Sequence, residues 1–239
     1  MVNWFWRPRA KRVDAPRLRP RSEDAAAATR MDLAELAPPR DRFLGQAAYI
    51  QLSLFEDLSR LVAEAPSIEA KDALSSASAI SLERYRGLAA EIRRTGAEPG
   101  AAMAPYTSGV DFFQRVTQGA DFYESVMTSH ITAGILDDFF ARLALGLPAA
   151  DAARITPLYA PSHEALLAEQ LRIGITENPR IAARLALWGR RLVGDAMLVA
   201  RSALATPPSS EKDEAKIEPV FTELIAAHTR RMDALGLTA

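Results

Sequence analysis

From Phe43 to Leu235 the apolar residues of this chain recur at steps of three and four, and no segment alternates with period two. That periodicity leaves helices as the building material, so the fold class expected is all-α. The first long helix is expected from about Asp41 to Ala65, with Phe43, Ala47, Ile50, Leu54, Leu58 and Leu61 on one stripe and Pro66 ending it. A second runs from Ser67 to Arg94 and stops near Gly96 and Pro99; its stripe reads Leu74, Ala77, Ser81, Arg84 or Tyr85, Leu88 and Ile92. "GAEPGAAMAPYTSG" reads as a loop, followed by a short helix around Val110 to Val116. The clearest helix spans Asp121 to Leu145, where Phe122, Val126, Ser129, Ala133, Leu136, Phe140 and Leu143 fit the spacing without a miss. Gly146 and Pro148 close it.

Pro157 and Pro161 predict a broken approach to a fourth long helix, from about Ser162 to Ile175. A fifth, Pro179 to Leu204, buries Ile181, Leu185, Trp188, Leu192 and Val199. "TPPSSEKDEAK" reads as a linker. The final helix, Ile217 to Leu235, carries Phe221, Leu224, Ile225, His228, Met232 and Leu235 on its stripe. Long helices joined by loops make a bundle, with the first four as its core and two further helices added at the C-terminal end.

Composition narrows the function classes. The chain has 239 residues, of which 29 are Lys or Arg and 30 Asp or Glu, so its near-zero balance points to no particular partner. It has no cysteine, which removes disulfides, thiolate metal sites and a cysteine nucleophile, and agrees with a reducing cytoplasm. The opening "MVNWFWRPRAKR" has aromatics where a secretion signal needs basic residues, so a cytoplasmic protein is expected. Charged residues interrupt every apolar run before it reaches a membrane-spanning length of about 18. Residues 1–40 differ from the rest. Between Arg7 and Arg21, seven basic residues face the single acid Asp14, which predicts a basic flexible arm ahead of one bundle domain, 41–239. With Trp4, Phe5 and Trp6 for stacking, such an arm suits phosphates of RNA or lipid, or is simply solvated.

No Gly-rich dinucleotide turn, P-loop, H-E-x-x-H or G-x-S-x-G occurs, so chemistry would have to come from the bundle interior. A carboxylate-bridged di-iron centre in such an interior takes a Glu from each of two helices and a Glu-x-x-His from each of the other two. The three histidines are His130, His163 and His228, and the residues three before them are Met127, Ala160 and Ile225. No Glu-x-x-His exists.

The segments "RFLGQAAYIQLSLFEDL", "GAEPGAAMAPY", "RLALWGRRLVGDAM" and "IAAHTRRMDALGL" resemble the actinobacterial ferritin-like family related to the tRNA hydroxylase MiaE, over roughly Arg42 to Leu237. The resemblance implies a ferritin-like four-helix bundle and, for MiaE-type enzymes, a di-iron site that activates oxygen to hydroxylate a modified adenosine in tRNA. It puts the helix-one glutamate at Gln51, the helix-two pair at Ser81 and Arg84, the helix-three acid near Ala133, and the helix-four pair at Ala160 and His163. Only His163 keeps a ligand type. Glu83 lies about 200° around its helix from Ser81 and points away from the interior, as Glu56 does relative to Gln51. Asp137 and Asp138 are the acids near the inner face of helix three.

A guanidinium cannot deprotonate and cannot ligate a cation, so Arg84 would itself supply positive charge where metals would otherwise be. Two outcomes are open for it: pairing with Asp137 or Asp138 and with the Gln51 carbonyl, or running its stem along apolar surface to the bundle rim. His228 is expected as a hydrogen-bonded packing histidine, with Asp195 as its partner; His130 as a surface or rim residue; His163 as structural. Arg190 and Arg191 in "WGRRLVGD" either hold an anion or face solvent.

The leading expectation is therefore a non-catalytic ferritin-like protein with a degenerate di-iron site and no cofactor, acting through an unidentified protein partner. The alternatives are a di-iron hydroxylase acting on tRNA or another substrate, which would need iron, and an RNA-binding protein using the arm.

Overall fold

A computed structural model of the protein describes residues 36–204 and 211–238. The segment from Arg7 to Arg21, and Trp4, Phe5 and Trp6 before it, lie outside the described residues. Nine α-helices occur among those residues, with no strand: α1 Arg40–Glu64, α2 Ile68–Arg94, α3 Pro99–Met103, α4 Thr107–Val116, α5 Phe122–Ala144, α6 Ala149–Ile155, α7 Glu164–Glu177, α8 Ile181–Ser202 and α9 Glu211–Ala234. Short 3-10 turns follow α3, at Ala104–Tyr106, and α6, at Thr156–Tyr159. No helix among the described residues is long and apolar enough to cross a membrane.

Local chemistry fixes the helix ends. Ser67 caps α2, its Oγ accepting the Ala70 N–H at 3.1 Å. At α5, Asp121 Oδ1 accepts the Glu124 N–H at 2.9 Å, satisfying one of the orphan donors, while Glu124 Oε2 accepts the Ala120 N–H at 2.8 Å and ties the incoming chain to the first turn. Gly236, at φ +69°, ends α9: its N–H bonds Asp233 O at 2.9 Å and the Leu237 N–H bonds Met232 O at 3.0 Å, a Schellman closure that buries Leu237.

Ala65, Pro66 and Ser67 turn α2 back along α1, and α5 packs against α1, α7, α8 and α9. Leu58, Leu74, Val126, Ile131, Leu171, Leu185 and Met232 meet in one apolar cluster drawn from six of these helices. Toward the other end, Phe140 meets Phe43 at 5.6 Å and Phe139 at 5.5 Å, both edge to face. The helices expected as C-terminal additions thus contribute to the core itself: Leu192 and Ala196 of α8 and Met232 of α9 are as buried as the apolar residues of α1, and Leu235, just past α9, is buried too.

Four expectations about local structure are corrected. The segment expected as a loop holds α3, the turn after it and the start of α4, and the broken approach holds α6 and its turn. Pro99, Pro105, Pro148 and Pro157 open helical elements, where the missing N–H costs nothing, while Pro161 stands in the break before α7 as expected. The second half of the expected linker is the first turns of α9, because Glu-Lys-Asp-Glu-Ala-Lys joins good helix formers to acids at a helix start. On the α9 stripe, Ile225 faces out.

Candidate functional site

Ser81 and Arg84 lie one turn apart on the inner face of α2, and Arg84 is the largest fully buried side chain among the described residues. A buried guanidinium is tolerated only when its donors are satisfied. Arg84 Nε donates to Leu158 O at 3.0 Å and Nη2 to Pro161 O at 2.6 Å. Nη1 donates to Gln51 Oε1 at 3.2 Å and lies 2.5 Å from Asp137 Oδ2. The two carbonyls are within reach because the 3-10 turn sits directly on α2 at Gly87, where an added Cβ would fall 2.5 Å from Leu158 Cδ2. The Tyr159 ring, from the same turn, stacks 4.8 Å from the guanidinium carbon.

Asp137 joins three helices. Its Oδ1 accepts from Gln51 Nε2 at 2.8 Å, and Oδ2 lies 3.2 Å from His163 Nδ1. The carboxylate is acceptor-only, so Nδ1 carries the shared proton. On the far side of the ring, Nε2 shares a 2.8 Å hydrogen bond with Ser81 Oγ. Burial pushes the Asp137 carboxyl up, but the His163 hydrogen bond and the Arg84 charge outweigh it and hold the group below the ordinary carboxylate range. Burial, with the Asp137 charge beside it, pushes the Tyr159 hydroxyl well above its usual range, and that hydroxyl has no protein partner.

The structure therefore brings together Gln51, Ser81, Arg84, Asp137 and His163. Ala133 lies beside them, lining a cavity of about 100 Å³ that also touches Arg84, His130, Asp137, Tyr159 and Arg231. Ala160 is exposed and outside the group, because Pro161 separates it from α7 and breaks the helical step that would align it with His163. Asp138 is not a partner of Arg84. It pairs with Arg231, whose Nη2 donates to Asp138 Oδ2 at 2.5 Å and whose Nε donates to Glu164 Oε2 at 3.1 Å. Arg231 reaches both by crossing α5 at Gly134, where a Cβ would stand 2.9 Å from its Nε. The side chains of Glu83 and Glu56 are each 68% exposed.

The other histidines differ from expectation. His130 is only 2% exposed, since α1, α7, α8 and α9 all pack against α5 and bury more than one of its faces. Its Nε2 has no protein partner, and burial, reinforced by the Arg231 charge, pushes its pKa down to about 4. His228 is buried as expected, but neither ring nitrogen has a hydrogen-bond partner and Asp195 does not serve. Its charge would oppose that of His130, and burial, reinforced by the Arg231 charge, lowers the His228 pKa as well. Arg190 donates to Thr238 O at 3.0 Å while Arg191 stacks on Trp188 at 5.0 Å, so the two do not converge on an anion.

Sequence reasoning missed Leu158 O, Pro161 O, Tyr159 and Arg231. Two glycines in helix interiors, Gly87 and Gly134, were the available signal, since each marks a close approach.

Two chemistries can be tested against this geometry. For a pair of metal ions, Gln51, Ser81 and Ala133 offer no anionic donor, both Asp137 oxygens are engaged, and a fixed positive charge lies within 2.5 Å of one of them. The residues present do not fit such a centre. The order Ser81, His163, Asp137 is also that of a hydrolytic relay. Ser81, however, is wholly buried in mid-helix and does not line the cavity, so no substrate carbonyl reaches its Oγ.

A family model for the ferritin-like domain of actinomycetes matches residues 41–206. No curated protein matches the chain.

Proposed function

The chain belongs to the ferritin-like domain family of actinomycetes, and from that premise we propose that it is a non-catalytic binding protein in which a guanidinium stands where a MiaE-like hydroxylase would hold its metals. The observation that carries this reading is the full engagement of Arg84 by Asp137, Gln51, Leu158 O and Pro161 O. A fixed internal cation neutralises the one buried carboxylate of the cluster and needs no ligand exchange, so the bundle is complete without iron. The interior then serves as scaffold, and recognition falls to surfaces and to the cavities between helices. The seven basic residues between Arg7 and Arg21 support RNA as a second class of partner, through counterion release from phosphates.

The test is metal content. Protein incubated anaerobically with excess ferrous iron, then desalted, should retain well under one iron per chain, with Arg84→Ala no better. About two irons per chain would overturn the proposal in favour of a hydroxylase.

A further inference from the structure

The two histidines outside the Arg84 cluster share an environment with two buried methionines. Met127 and His130 stand three residues apart on α5, and His228 and Met232 four apart on α9, the spacings that bring two side chains to one face of a helix. Both faces turn inward: Met127 and Met232 are fully buried, and His130 and His228 are almost so.

Contacts on either side of these residues fix how the two faces meet. Met232 Sδ lies 3.0 Å and Met127 Sδ 3.9 Å from the position of an added Cβ on Gly189, so the gap over that glycine of α8 receives both sulfurs. Farther along the same two helices, the Phe139 and Phe221 rings meet at 6.0 Å. Helices α5 and α9 therefore run antiparallel, and the register that joins the two pairs sets His130 opposite His228, about one turn inside the methionines. A charge on one ring would oppose a charge on the other.

The protein does not hold these rings as it holds His163, whose two nitrogens are engaged by Asp137 and Ser81. His130 Nε2 and both His228 nitrogens have no hydrogen-bond partner, and an imidazole left wholly unpaired in a core is costly enough to call for an explanation such as an ion. Burial keeps both rings neutral, and the neutral imidazole is the form that ligates.

The donor types select the ion. Among the described residues no three histidines, cysteines or carboxylates converge, so the donor sets that suit zinc or magnesium are not formed. Two imidazoles with two thioethers make a soft set, and thioether sulfur selects Cu(I). The charge nearby suits a monovalent cation. Arg231 is shared by Asp138 and Glu164, and Arg172 is paired with Glu169, so the surroundings carry no net positive charge.

We propose that Met127, His130, His228 and Met232 form a binding site for one Cu(I) ion, held by the two imidazoles and closed by the thioethers where α5 meets α9. The site lies about two turns along α5 from Asp137 and does not rest on the reading of the Arg84 cluster. Iron retention and copper binding can fail independently.

The test is an anaerobic titration of the full chain with Cu(I) against the chromophoric chelator bicinchoninate. One Cu(I) per chain should be withdrawn from the chelator, and equimolar Zn(II) should not displace it. His228→Phe should lower the affinity by more than about a hundredfold, since even residues that only support a metal ligand are worth about ten- to a hundredfold. Met127→Leu combined with Met232→Leu keeps the core volume and should lower the affinity about tenfold or more, while Met197→Leu, elsewhere on α8, should leave it unchanged. Circular dichroism and a cooperative melt establish that each variant is folded. Copper-edge X-ray absorption of the loaded protein should show both nitrogen and sulfur neighbours. No copper withdrawn from the chelator, displacement by zinc, unchanged affinity in folded His228→Phe, or a copper shell without sulfur would each overturn the proposal.

Discussion

Arg84 Nη1 and Asp137 Oδ2 are 2.5 Å apart, with the guanidinium side chain 1% exposed and the carboxylate 15%. The pair joins α2 to α5 across the bundle, and His163, Gln51 and two backbone carbonyls complete its hydrogen bonds. Its importance is asymmetric: removal of both charges is tolerated far better than removal of one.

Arg84→Met should therefore destabilise the protein by about 3–5 kcal/mol, because Asp137 is left buried without its cation. The double variant Arg84→Met with Asp137→Asn should recover a sizeable part of that loss. Urea unfolding of the two single variants and the double one gives the coupling; additive losses would show that the pair is not the unit described.

Acid sensitivity should report His130. Its folded-state pKa, about 4, lies below the ordinary imidazole value, so the folded protein favours the neutral ring. The stabilisation is fully present above the unfolded value of about 6.5 and is lost as pH falls from there toward 4, by on the order of 3 kcal/mol in total. The depressed carboxyl of Asp137 acts in a separate window, below the ordinary carboxylate range. Unfolding free energy measured from pH 7 to 4.5 should fall in the wild type and be flatter in His130→Phe.

Two helical glycines should respond to alanine with opposite sign. Gly194, in α8, has nothing within 4 Å of an added Cβ, and Gly194→Ala should stabilise by about 0.5–1 kcal/mol. Gly134→Ala pushes a methyl against Arg231, whose side chain is held by Asp138 and Glu164, and should destabilise by about 1–3 kcal/mol. Thermal melts at one pH separate the two.

The stripes of α1, α2 and α5 could be read from sequence because each rests on a period that a single buried face imposes: Phe43 through Leu61, Leu74 through Ile92 and Val126 through Leu143 are buried where the spacing puts them. The same assumption misplaced His130, since α5 is buried on more than one face and period alone does not reveal the second. Two of the Arg84 acceptors are main-chain oxygens, at Leu158 and Pro161, and a backbone carbonyl carries no side-chain signature. Arg231 was missed for another reason. It sits 93 residues from Asp138, and an ion pair at that separation exists only once α9 has docked. Prolines misled most, because the same residue ends one helix and opens the next, and only the neighbouring packing decides which.

Gly134 has a consequence for where this domain can be cut. The family model stops at residue 206, short of the Leu237 to which the sequence resemblance runs, yet the side chain laid across Gly134 comes from Arg231. Met232 of the same helix fills the space over Gly189, and Leu235 and Leu237 complete the apolar cluster. A protein trimmed to the recognisable segment would uncover His130, strip Asp138 and Glu164 of their cation and open the core along α8. The matched stretch and the packed core are thus different lengths of chain, and the second includes α9, which the family model leaves out.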